Sequence, residues 1–224
     1  REYARMIAKQ FNTEHREFPV TAAEMLAYFE HLATHNDEPF GDSSQLNMYV
    51  LAKHTREFVT VALSGDGGDE AFGGYPKYRI HALIQRYHAL LNVLAFGGPL
   101  VQMIARRSEN AQLQYLSAGL RTLPLSAARR HYNLTNYFDE WMKQSSYTPA
   151  MRDRVHTAGN PFEEILAGKT LSDVDAAYYL DLNSYLPDDL NVKVDMASMA
   201  FALEVRAPFE DVDRAWPPAG KRHR

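Results

Sequence analysis

The chain has 224 residues, a formal net charge of −4 and an apolar content of 46%, enough for one large domain or two small ones with a real core. No basic tract of note precedes the last few residues, which argues against a nucleic-acid partner, and the absence of cysteine excludes disulfides and thiol catalysis. No apolar run approaches the roughly 18 residues of a membrane span, and the N-terminus lacks a charged-then-apolar secretory pattern, so a cytoplasmic location is expected.

Arg1 is not methionine and the chain begins directly in a helical pattern, which reads as a piece of a longer protein; processing would look the same. Tyr3, Met6, Ile7 and Phe11 recur at helical spacing, so residues 2–11 are expected to form an amphipathic helix. Phe18-Pro19-Val20 reads as a short strand. Thr21 with Glu24 forms a capping box that opens a helix through about His35, with Met25, Leu26, Phe29 and Leu32 on one face. Residues 36–44 form a loop, in which Asp42 or Ser43 can cap a helix over about 44–57 that carries Leu46, Tyr49, Val50, Lys53 and His54. This alternation favours a right-handed crossover in a parallel sheet.

The most informative stretch is Val59–Arg79. Val59, Val61, Ala62 and Leu63 read as a strand buried on both faces, as in parallel sheets. Ser64-Gly65-Asp66-Gly67-Gly68 stops it, with glycines that permit positive φ and close backbone approach. Asp69 and Glu70 then open a helix, where the macrodipole favours acids. A strand, a glycine loop and a helix start make an anion site, yet this loop holds three carboxylates, Asp66, Asp69 and Glu70. A hard cation resolves that conflict, since Mg²⁺ binds through one or two carboxylates plus substrate phosphates. The same residues also fit an ordinary tight turn with solvated acids, and the pattern is neither a Rossmann nor a Walker loop.

Ser64-Gly65-Asp66-Gly67-Gly68-Asp69-Glu70 followed by Phe72-Gly73-Gly74-Tyr75 resembles the signature loop of the glutamine-hydrolysing asparagine synthetase family, in its C-terminal synthetase domain, an ATP pyrophosphatase. The resemblance implies that Ser64 and Gly65, with Gly67, lie along the nucleotide, that Asp69 binds Mg²⁺ with Glu70 in support, and that Asp66 sits near the acyl-adenylate. Asp37-Glu38-Pro39-Phe40 with Asp42 resembles the family segment at this distance before the loop, where capping and loop ordering explain the acids as well as catalysis does.

Beyond Arg79 the pattern is helical: His81–Ala95, a new helix at Val101, and a further start at Ser126. Tyr137, Phe138, Trp141 and Met142 read as core-facing. The nine histidines show no metal-ligand spacing and read as surface or core residues. Leu186-Pro187-Asp188-Asp189 reads as a helix entry, with Asp189 and Lys193 one i,i+4 step apart, compatible with a surface ion pair. Val192, Val194, Met196, Met199 and Phe201 make this helix apolar on several sides, so it is expected to be well buried, and Ala197, Ser198 and Ala200 leave part of it slim.

Tyr185–Asp189, Lys193-Val194-Asp195, Ser198-Met199-Ala200, Leu203–Arg206 and Pro208-Phe209 again resemble the family, in its order. By that resemblance Asp66, Asp189 and Lys193 are the candidate catalytic residues. Asp195, Glu204 and Arg206 are family positions for which a buried Glu204–Arg206 or Asp195–Arg206 network is the structural alternative. The implied fold is α/β, a parallel sheet flanked by helices of the adenine-nucleotide alpha-hydrolase-like (HUP/PP-loop) type, followed by a mainly helical portion. The expected division is 1–80 nucleotide-binding and 81–211 mainly helical, with 212–224 a Pro-rich, basic, disordered tail. The family's Ser-Gly-Gly-x-Asp-Ser loop and its glutaminase half do not occur in the sequence, and Pro208-Phe209-Glu210-Asp211 departs from the family's Pro-Phe-Leu-Asp. The resemblance implies ATP and Mg²⁺ as cofactors, aspartate and ammonia as reactants, and a homodimer of the full-length protein. Relatives that form other amides, lactams or cyclic peptides, and an inactive remnant, are the alternatives.

Overall fold

A computed structural model of the chain describes residues 2–87, 122–136, 138 and 140–211; the described helix across His81 ends at Arg86, and the expected helix at Val101 and the expected disordered tail lie outside these residues. The chain divides into two compact units, one holding residues 2–66 and 189–211, the other the described residues between Gly67 and Asp188. The chain passes between them at Asp66–Gly67 and at Asp188–Asp189.

The first unit contains α1 (Glu2–Gln10), α2 (Ala22–His35), α3 (Ser44–Arg56), β1 (Val61–Leu63), α11 (Val192–Met199), β2 (Glu204–Arg206) and a 3₁₀ turn (Pro208–Glu210). Thr21 caps α2 by accepting from the Glu24 N–H at 3.2 Å. Asp42, rather than Ser43, caps α3, accepting from the Ser44 N–H at 2.8 Å. The core forms where α2 and α11 pack on α3: Leu32, Tyr49 and Ala197 are buried, with Tyr28, Leu46 and Phe201 against them. Tyr49 and Phe201 meet edge-to-face at 4.6 Å. Ala197 has no exposed surface, so its small side chain is what lets α11 approach α3.

β1 and β2 pair in parallel, Val61 with Glu204, Ala62 with Val205 and Leu63 with Arg206. The pairing extends through Glu204 N–H to Thr60 O and Ser64 N–H to Arg206 O. Parallel strands need a long crossover, here nearly the whole second unit. Burial on both faces of β1, expected from its composition, does not hold. Leu63 is 73% exposed and Val61 is exposed too, because β1 and β2 are the only strands among the described residues and no described element covers the face that carries Val61 and Leu63; Ala62, on the other face, is half-buried. Phe18-Pro19-Val20 is not a strand; Phe18 instead stacks on His54 at 4.9 Å, since side-chain packing is available there and a partner strand is not. The apolar stripe of α1 faces outward, Tyr3 being 80% exposed, and α2 buries Leu32 and packs Tyr28 rather than burying Leu26 and Phe29. α11 buries Val194, Ala197 and Ser198 but exposes Val192 and Met199, so it is one-sided rather than buried all round.

The second unit contains α4 (Gly68–Phe72), α5 (Pro76–Arg86), α6 (Ala127–Thr135), α7 (Glu140–Ser146), α8 (Pro149–Ala158), α9 (Pro161–Ile165) and α10 (Asp173–Leu180). Ser126, Thr148, Asn160 and Ser172 each cap a helix by accepting a backbone N–H, and proline opens α5, α8 and α9. Ala128, Phe162 and Leu180 form its core, with Tyr132, Ile165 and Leu166 against them. Phe138 and Met142 are partly exposed rather than core-facing; Phe138 precedes α7 and packs on Tyr147 at 5.6 Å. Tyr137 and the Trp141 side chain lie outside the described residues.

No helix begins at Pro187. α10 runs on into π-helical turns, Asp181–Asn191, with Pro187 inside, and then into α11. The i→i+5 register of π turns removes the usual conflict between a proline ring and the i−4 carbonyl. Ser184 Oγ and Asn183 Nδ2 donate to the Leu180 and Tyr179 carbonyls, meeting groups that the change of pitch frees.

Ala197→Leu would overpack the α3–α11 contact. Its unfolding free energy should fall by about 1–3 kcal/mol, read as a lower urea midpoint.

Candidate functional site

Strand β1 ends at Leu63 and β2 at Arg206, and the segments that follow them leave the sheet at the same end. Beyond their carboxyl ends lies a cavity of about 370 Å³, lined by Ser64 and Asp66 after β1, Glu210 and Asp211 after β2, and Asp195 and Ser198 from α11. The crevice beyond parallel strand ends is the usual ligand position in open α/β sheets. Four of the described lining residues carry carboxylates (Asp66, Asp195, Glu210 and Asp211), and among the described lining residues there is no lysine, arginine or histidine. Asn191 donates to Glu210 across the cavity wall at 2.9 Å. The Ser64 hydroxyl is buried without a hydrogen-bond partner in the protein, although its N–H is held by Arg206. A Cβ on Gly65 would meet nothing within 4 Å, so the backbone there fronts open space.

Gly67 takes positive φ (79°), as expected of the loop, and α4 begins after it with Asp69 exposed and Glu70 fully buried. Gly73 ends α4, also at positive φ (70°). The glycine pair is required by space as much as by conformation. A Cβ on Gly73 would sit 2.2 Å from the Tyr178 hydroxyl, and one on Gly74 only 1.7 Å from Asp69 Oδ1. Neither Glu70 carboxylate oxygen has a partner of hydrogen-bond geometry; burial raises its pKa, and the nearby Asp181 charge adds to that.

Asp189 is half-buried in the π turns. Lys193 does not pair with it. Its ammonium donates to Asp42 Oδ2 at 2.9 Å, and both groups are largely buried. Ser64, Asp66 and Asp195 are thus brought to one cavity, whereas Lys193 is not among its lining residues. Glu204 and Arg206 do pair, at 2.7 Å, but on the exposed strand surface rather than as a buried network. Asn191, Glu210 and Asp211 carry no local signal of a site; Asn191 comes from the π turns before α11, and the parallel pairing of the strands brings Glu210 and Asp211 beside the loop after β1. Among the described residues no three His, Cys, Asp or Glu side chains converge as a metal cage, and no helix is long and apolar enough to cross a membrane. A Mg²⁺ ion that shares its coordination with phosphates needs only one or two carboxylates, which the loop has.

The second unit buries a charged cluster. Asp181, with no exposed surface, accepts from Lys77 Nζ at 2.7 Å and from His131 Nε2 at 2.8 Å, so that nitrogen carries the proton. His131 Nδ1 lies 3.3 Å from His81 Nε2. Burial lowers the His81 pKa to about 4, and the His131 ring adds to the effect. The donors around Asp181 hold its pKa below the usual range although burial alone would raise it.

The family model described as asparagine synthase matches residues 1–213. The chain is 28% identical over 214 residues to asparagine synthetase (glutamine-hydrolyzing) 1 of Bacillus subtilis strain 168, covering 94% of this chain and 32% of that protein. It is 28% identical over 211 residues to a Mycobacterium tuberculosis H37Rv protein named "Putative asparagine synthetase (glutamine-hydrolyzing)", covering 91% and 30%. The chain spans about a third of the length of these curated relatives. No solved structure matches it.

His81 binds a proton more weakly folded than unfolded, so acid favours unfolding. Stability is whole above pH 6.5 and falls as pH drops toward 4. The loss should approach about 3 kcal/mol, with Glu70, whose raised pKa acts in the opposite sense, offsetting part of it. Urea midpoints measured across this window should drop with pH, and His81→Asn should flatten the slope.

Proposed function

This chain belongs to the asparagine synthase family, and we propose that it contributes the nucleotide- and acyl-facing part of a glutamine-dependent asparagine synthetase. In this reading a side-chain carboxylate oxygen of aspartate attacks the α-phosphorus of ATP, and the bond to the β-phosphate breaks to release pyrophosphate. Ammonia then attacks the acyl carbon, the C–O bond to AMP breaks, and asparagine forms as nitrogen loses a proton. The ammonia would come from a glutaminase domain outside this chain. A cytoplasmic, homodimeric full-length enzyme accompanies the reading.

The observation that carries it is the acidic crevice at the parallel strand ends. An ATP phosphate chain entering a cavity walled by Asp66, Asp195, Glu210 and Asp211, with no basic side chain among the described lining residues, needs a divalent cation between the two sets of negative charge. The family resemblance, rather than the cavity lining, assigns Asp69, with Glu70 in support, to hold Mg²⁺, which would offset charge on the leaving pyrophosphate; neither residue is among those lining the cavity. Ser64 offers a hydroxyl with no internal partner, and Gly65 an unobstructed backbone, to the nucleotide. Gly67, which takes positive φ at 79°, is assigned with them to the nucleotide. Asp66 and Asp189 are assigned to orient the adenylated carboxylate and the incoming amine. Lys193 is assigned to the charge developing on the reacting group, and its role requires exchange of Asp42 for substrate.

In the full-length protein, Asp69→Ala should cut aspartate-dependent ATP–pyrophosphate exchange by about two orders of magnitude or more. Near-normal Mg²⁺-dependent exchange in that variant would remove the metal assignment. The 224-residue chain alone should show no exchange, because its sequence lacks the Ser-Gly-Gly-x-Asp-Ser loop. Replacing aspartate by other carboxylates in the same assay tests the acceptor.

A further inference from the structure

Tyr178, Asp181 and Tyr185 stand at i, i+3 and i+7 along α10 and the π turns that continue it, a spacing that puts them on one side of the helix. Each meets the tail of the glycine signature. The Tyr178 hydroxyl fills the space where a Cβ on Gly73 would stand, and its ring stacks on Tyr78 at 4.1 Å. One turn on, Asp181 accepts from Lys77 at 2.7 Å. Another turn on, the Tyr185 ring meets Tyr75 edge-on at 5.9 Å. The Lys77 ammonium lies 4.3 Å from the Tyr185 ring centre and 4.8 Å from that of Tyr75, so the ion pair sits inside an aromatic cage.

We propose that Tyr178, Asp181 and Tyr185 form a clamp on Gly73–Tyr78, with Asp181 as a positioning residue for the acidic turn that carries Asp69 and Glu70. Asp181 has no exposed surface and Lys77 is 12% exposed, so neither charge can turn to water when the other is removed. His131, backed by His81, holds the same carboxylate oxygen from the opposite helix, α6, which keeps Asp181 aimed at Lys77. The lever from the clamp to Asp69 is steric. The Asp69 carboxylate lies over Gly74 with no room for even a methyl group between them, so a shift of the 73–78 segment displaces it.

The kinetic consequence rests on the functional reading above; the clamp itself does not. The test uses the full-length protein and Asp181→Asn, which keeps shape and removes charge. Amide hydrogen exchange over residues 68–78 should quicken at least tenfold while that of α3 stays unchanged. Lys77→Met should do the same, and Lys77→Arg should restore protection. In ATP–pyrophosphate exchange, half-saturating Mg²⁺–ATP should rise about tenfold in Asp181→Asn, with no matching rise for ammonia in the complete synthetase reaction. Unchanged protection over 68–78 in folded Asp181→Asn protein overturns the clamp. Lost protection with unaltered Mg²⁺–ATP half-saturation overturns the positioning role and leaves a structural one. Wild-type protein without any exchange activity counts against the functional reading alone, since hydrogen exchange still decides the clamp. If Asp181→Asn does not fold, Tyr178→Phe, which deletes only the hydroxyl above Gly73, carries the same hydrogen-exchange comparison.

Discussion

Three residue pairs between two short parallel strands carry the site. Where Val61–Leu63 lies beside Glu204–Arg206, the loop after each strand emerges at the same end, and Ser64 and Asp66 come to face Glu210 and Asp211 from the far end of the chain. Parallel pairing forces this, because both strands then end on the same edge. Three ladder pairs are a weak tether by themselves. The packing of α11 on α3, through Ala197 and Tyr49, sets the position of β2, which follows α11 after a short turn.

Charge is handled in opposite ways in the two units. In the first, the carboxylates of the crevice are gathered around a cavity, and the lysine closest to them in sequence is turned to Asp42. Carboxylates gathered in this way favour cations over anions. In the second, Asp181 is buried together with its lysine and a histidine, where desolvation would be prohibitive unless every partner stayed in place. That cluster joins the helices α5, α6 and α10, which pack on one another, and buries His81 among them.

Much of the local structure was legible in the residues. The Thr21 cap, the Ser126 start, the positive φ at Gly67 and the helix opening at Asp69-Glu70 follow from short-range chemistry, and each forms, although only the Thr21 half of the capping box does, Glu24 lying 3.4 Å from His54 instead. So was family membership, through two signatures in order. The misreadings concern long-range partners. Phe18–Val20 has strand composition but no neighbouring strand, and Glu204-Val205-Arg206 became a strand because β1 was there to receive it. The stripe of α1 has helical spacing, yet spacing does not say whether another surface covers it.

The sequence by itself determined which segments turn, cap and coil, and where the backbone takes positive φ at Gly67, because those properties depend on neighbours within a few residues. Only the tertiary structure decided that Lys193 answers to Asp42 rather than Asp189, that Asn191 and Glu210 share a cavity wall, and that Gly73 and Gly74 are glycine because Tyr178 and Asp69 occupy the space a side chain would take. Those facts join residues far apart in sequence, or depend on packing distances of a few tenths of an ångström, and neither is set by local propensity.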